Sequence, residues 1–171
     1  MAITRPDKSE CSAHVYSYVS KVTQNNLIEA LNDSHQQVLA LFESLPKEKY
    51  LYRYAEGKWT IQDLIAHLID CERIMVYRAL TIARNDKTEL PGFEENDYAA
   101  ESNAANRSME SLLDEYRHIR KSTILFFEGL SDEMALRKGI ANRNPVTVRA
   151  LGYSIPGHEL HHMQVIKERY L

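Results

Sequence analysis

Four segments of about twenty residues each carry apolar side chains at helical spacing, and this pattern restricts the chain to few folds. The first covers residues 25–45, with Ile28, Leu31, Val38, Phe42 and Leu45 on one stripe and Pro46 as its stop. The second covers residues 61–84. Thr60 is placed to cap it, Asp63 sits in the first turn near the positive end of the dipole, and Trp59 can staple onto Leu64. Its apolar face is broad, running from Ile61, Leu64 and Leu68 to Met75, Ala79 and Ala83. The third covers residues 109–128 behind Ser108, turning Leu112, Leu113, Tyr116, Thr123 and Phe127 inward. The last follows Asn144-Pro145, is capped by Thr147 and runs to the C-terminus. A kink is expected at Pro156, whose ring would press on the carbonyl of Gly152.

Residues 85–107, with Pro91-Gly92, read as a long polar connection with room for a short helix. Six glycines and five prolines are too few for an all-β chain with many tight turns. No internal repeat or Gly/Ser-rich linker divides the sequence. The expectation is an all-α four-helix bundle. It forms one domain over residues 1–171, with residues 1–20 as a loosely ordered N-terminal extension.

A net charge of −3 and a pI near 6.2 give no electrostatic basis for binding nucleic acid or an anionic membrane. The sequence has no run of eighteen apolar residues, and its start lacks the basic-then-apolar layout of a secretion signal. Cys11 and Cys71 are too few and too far apart for a disulfide framework or a Cys-x-x-Cys zinc site. These features point to a reduced, cytoplasmic protein.

The chemistry is concentrated in Gly157-His158-Glu159-Leu160-His161-His162, which holds three of the seven histidines. Neutral imidazole is the commonest protein ligand for zinc and similar ions, and two imidazoles one helical turn apart can grip one ion. On a helical wheel His158 and His162 fall inside the stripe of Val148, Leu151, Ile155 and Ile166, about 40° apart; His161 falls roughly 60° outside it. On the second helix His67 points into a seam beside Leu64 and Cys71, with Asp63 one turn earlier to accept the ring's other N–H. His67, His158 and His162 are therefore the expected ligands, and three imidazoles leave coordination positions open, as catalytic sites do. His35 lies in an apolar stripe and reads as a core histidine, while His14 and His118 read as solvated. Glu72 and Arg120 both fall on apolar faces, and buried charges need partners, so the two should pair across the bundle.

His158 to His162 also spells H-E-x-x-H, the metalloprotease pattern in which Glu159 would act as general base. Zincins take a third ligand downstream, where the only acidic residue here is Glu168. The extended metzincin pattern would need Gly and His where the chain has Val165 and Glu168.

From about residue 18 to its end the chain resembles the DinB/YfiT-like family. The resemblance rests on Tyr54-Ala55-Glu56-Gly57-Lys58-Trp59-Thr60, on Ala66-His67-Leu68-Ile69-Asp70-Cys71-Glu72-Arg73, on the Gly157–His162 segment and on Glu168-Arg169-Tyr170-Leu171. It implies an up-down-down-up bundle, often a homodimer, with a divalent ion (zinc or nickel foremost) on three histidines that map to His67, His158 and His162. It also implies one of two chemistries on a small-molecule substrate: transfer of a low-molecular-weight thiol to an electrophile, or hydrolysis. Glu159 is the expected proton-handling carboxylate. The alternative is a non-catalytic, stress-associated metal-binding bundle, with His35 as a possible fourth ligand saturating the site.

Overall fold

A computed structural model describes residues 2–171. The chain runs through α1 (Ala13–Val19), α2 (Leu27–Ser44), α3 (Ile61–Ala83), α4 (Glu95–Glu101) and α5 (Met109–Glu128). It continues through α6 (Asp132–Leu136), β1 (Lys138–Ala141), β2 (Asn144–Thr147) and α7 (Val148–Arg169). The four expected helices are α2, α3, α5 and α7. Side chains of Asn26, Thr60, Ser108 and Thr147 cap them, each accepting from a backbone N–H in the first turn. Helix α7 continues through Pro156 to Arg169.

The core shows how the helices run. At one end Leu27 and Leu31 of α2 meet Ala79 and Ile82 of α3, Phe127 of α5, and Val148 and Leu151 of α7. At the other, Val38 and Phe42 meet Leu64 and Leu68, Leu112 and Leu113, and Met163 and Ile166. Thus α2 runs parallel to α7, α3 runs parallel to α5, and the two pairs oppose each other. Both α2 and α3 pack on α5 and α7, so α2 and α3 sit diagonally. This is the up-down-down-up order. Parallel neighbours cannot be joined by a tight turn, which is why residues 84–108 form a long crossover carrying α4 between α3 and α5.

Two regions depart from expectation. Residues 2–20 are built into the fold instead of trailing from it. Ser12 caps α1, which packs along α7, and Glu10 accepts hydrogen bonds from Thr147 (2.9 Å) and from Arg149 Nε (2.8 Å). A Cβ at Gly157 would overlap the Tyr18 carbonyl oxygen, so glycine there permits the close approach of the two helices. The second is a hairpin between β1 and β2, turned by Asn142 and Arg143 with φ of 49° and 64°. Both residues are left-handed, as a two-residue hairpin turn of this hand requires. Leu90 of the crossover bonds this hairpin through Ile140 O and Asn142 N, at 3.0 and 2.9 Å.

The bundle's centre is ionic. Arg120 is 1 % exposed; its Nε and Nη2 donate to the two Glu72 oxygens at 3.0 and 2.8 Å, which confirms the expected pair. The same guanidinium donates to Glu159 Oε1 (2.5 Å), Ser34 Oγ and the Leu31 carbonyl, so one cation ties together all four bundle helices. Tyr116 donates its hydroxyl to Glu159 at 2.6 Å, and His35 stacks on the Tyr116 ring.

Candidate metal centre

The capping box at the start of α3 fixes the helix one and a half turns before His67. Asp63 Oδ2 accepts from Thr60 N (2.8 Å) while Thr60 Oγ1 accepts from Asp63 N (3.0 Å). Asp63 is also paired with Arg53, so the expected support of the His67 ring by Asp63 is not made. The neighbour of that ring is instead Cys71, one turn on, with its sulfur 3.6 Å from Nδ1 and 3.5 Å from Nε2.

His158 and His162 stand one turn apart on α7, which packs antiparallel to α3. The Nε2 atom of His158 lies 3.1 Å from Nε2 of His67 and 3.0 Å from Nε2 of His162. The three ring centroids are 4.5–5.0 Å apart. The three histidines named from the sequence are thus brought together. His161 is half-buried and packs against the Tyr18 and His162 rings. His14 and His118 are exposed, and His35 belongs to the Arg120 network.

The donor set suits a divalent cation. A neutral imidazole nitrogen can donate one proton or accept one, so His158 Nε2 cannot satisfy two facing nitrogens by hydrogen bonds alone. Two imidazole ligands of a tetrahedral zinc stand about 3.3 Å apart, close to the spacing seen. Ligand atoms of His67, Cys71 and His158 also lie within 4.8 Å of one another. Sequence reasoning did not count Cys71 as a ligand. Its signal was the His67–Cys71 spacing of four residues, which repeats the His158–His162 spacing on α7.

Aromatic rings close the flanks. Trp59 lies 4.6 Å from the His67 ring and stacks at 6.4 Å on His162; Tyr18 sets its edge against His158 at 5.3 Å. A cavity of about 460 Å³ reaches His158 and Cys71 past Tyr18, Met75, Arg78 and Phe93. A smaller one, about 200 Å³, reaches His162 beside Trp59, Tyr54 and Tyr170. Glu159 points to the other side: its Oε1 is taken by Tyr116 and Arg120, and its buried Oε2 bonds no imidazole.

Burial keeps the cluster uncharged. It lowers the pKa of His67 to about 4 and, with help from His67 and His161, that of His162 to about 3. Burial, reinforced by His162 and His67, holds His158 well below the ordinary imidazole range. All three are thus neutral ligands at neutral pH and need lose no proton to bind a cation. Depressed folded values also mean that the metal-free protein loses stability as pH falls from about 6.5 toward 4 and 3. With Cys71 replaced by serine, so that only the imidazoles respond, the metal affinity between pH 7.5 and 5.5, measured against a chelator buffer, is expected to change less than about twofold; three ordinary histidines would lose roughly a thousandfold.

Comparison with known proteins agrees with this architecture. The family model described as DinB superfamily matches residues 30–166. The fold is similar to that of YfiT from Bacillus subtilis, described as a probable metal-dependent hydrolase with an unusual four-helix bundle topology. The TM-score is 0.75 and the identity 15%, over 83% of this chain and 82% of that one. A DinB-like protein of Bacillus subtilis, YjoA, matches with a TM-score of 0.58 and 19% identity over 82% and 86% of the two chains. No curated protein matches in sequence. Among the described residues no helix is long and apolar enough to cross a membrane.

Proposed function

The chain belongs to the DinB superfamily, and from that premise we propose that it is a metal-dependent enzyme whose ion sits on His67, His158 and His162. The observation that carries the reading is the convergence of three neutral imidazoles, His67 and His158 buried and His162 half-buried, with His158 lining a cavity large enough for a small molecule. A divalent ion held there lowers the pKa of a thiol or a water, supplying a nucleophile near neutral pH. Thiol transfer to a small electrophile ranks ahead of hydrolysis in this reading.

The chain's own residues supply the rest. Tyr18 and Trp59 shield the ring cluster from bulk water, while Arg78 and Phe93 shape the entrance on the His158 side. Glu159 takes a positioning role. Held by Arg120 and Tyr116, it fixes the rotation of α7 one residue from His158, and Glu72 does the same for α3 next to Cys71. The general-base role suggested by H-E-x-x-H has no contact to support it, and Glu168, the downstream acid of a protease reading, is exposed and bonded by Gln164.

The test is an assay of the metal-loaded protein with a small electrophile, with and without a low-molecular-weight thiol. A conjugate that needs both thiol and metal is the expected product. Product formed without thiol would assign hydrolysis, and no metal-dependent turnover of any kind would favour a non-catalytic metal-binding bundle. One observation lends weight to that second reading: the Cys71 sulfur, 3.5 Å from His67 Nε2, is near enough to the imidazoles to add a fourth protein donor.

A further inference from the structure

The contents of α3 and α7 are matched in a way the three-histidine set leaves unused. Helix α7 offers His158 and His162 at a spacing of four residues, and α3 offers His67 and Cys71 at the same spacing, across one antiparallel contact. Side chains four apart on a helix share a face, so each helix turns two donors toward the other. Cys71 is 4 % exposed, its sulfur contacts no hydrogen-bonding group except the His67 ring, and it lines the larger cavity together with His158.

Resting on the metal site proposed above, we propose that Cys71 is a fourth protein ligand of the same ion, filling the position that faces the 460 Å³ cavity. The distances fit. A thiolate at about 2.3 Å and an imidazole at about 2.0–2.1 Å from a tetrahedral zinc stand roughly 3.5 Å apart, and Cys71 Sγ lies 3.5 Å from His67 Nε2. On binding, the S–H bond gives way to a sulfur–metal bond and the proton passes to solvent. A substrate entering from that cavity would meet the Cys71 sulfur beside His158.

Cobalt(II) reports the sulfur directly, because a thiolate ligand adds a sulfur-to-cobalt charge-transfer absorption in the near ultraviolet that imidazoles do not give. Metal-free protein is titrated with cobalt(II), using the wild type, Cys71→Ser and Cys11→Ser. The wild type and Cys11→Ser are expected to show the band at full height, and Cys71→Ser to bind cobalt and lose the band entirely. Since the chain has only two cysteines, a band retained in Cys11→Ser identifies Cys71 even if Cys71→Ser does not fold. Cobalt bound without the band in the wild type overturns the inference and leaves the three-histidine reading standing. A wild type that binds no cobalt overturns both.

Discussion

Arg120→Ala is expected to cost about 3–5 kcal/mol of folding stability, since it removes one partner of a buried ionic group and leaves the other unpaired. Here two carboxylates are left, Glu72 and Glu159, both almost wholly buried. A domain of this size is stable by about 5–15 kcal/mol, so one side chain controls a large share of the total. Two carboxylates on one guanidinium leave an excess negative charge. Burial, opposed by Arg120 and reinforced by Glu72, raises the pKa of Glu159. A carboxyl whose folded value is raised contributes its stability below the unfolded value and loses it as pH rises through the folded one. The cost of Arg120→Ala should therefore be smaller in mildly acidic than in alkaline solution, and Glu159→Gln should cost much less than Arg120→Ala. Urea denaturation at several pH values measures both. A cost of Arg120→Ala below about 1 kcal/mol, the range of surface ion pairs, would contradict the buried network.

His158→Ala carries the largest expected effect on binding. His158 Nε2 is the atom on which His67 and His162 converge, so its loss removes the centre of the donor set. The affinity for a divalent ion should fall by more than the roughly 10–100-fold that loss of an indirect supporting partner costs. Stability reports the same event. An ion at about a thousand times its dissociation constant stabilises the folded state by about 4 kcal/mol. The wild type should gain this on metal addition and His158→Ala should not. An equal gain in both proteins would place the ion elsewhere.

Much of the bundle was legible because its signals are local. Helical periodicity and the caps Thr60, Ser108 and Thr147 each act within one turn of chain, and each is present as read. The Glu72–Arg120 pair was legible for a different reason: an ion on an apolar face must find a counter-ion, and few were available. The hairpin was not legible, because an Asn-Arg turn and a strand containing Pro145 are weak strand signals that pairing with each other and with Leu90 overrides. The place of residues 2–20 was hidden because it depends on Gly157 admitting the backbone of α1. At the site, wheels show which face a residue takes but not which competitor claims it. Asp63 went to its own helix cap, Glu159 to Arg120 and Tyr116, and Cys71 to the imidazoles. The histidine set stood out because three residues of one uncommon type shared inward faces.

The central claim is that His67, ninety-one residues before His158, completes the metal site while the adjacent His161 does not take part. The metal content of the purified protein, measured with His67→Ala and His161→Ala beside it, tests this most directly. One ion per chain in the wild type and in His161→Ala, with none in His67→Ala, is the result predicted. Stoichiometric metal retained in His67→Ala, or lost in His161→Ala, would contradict it.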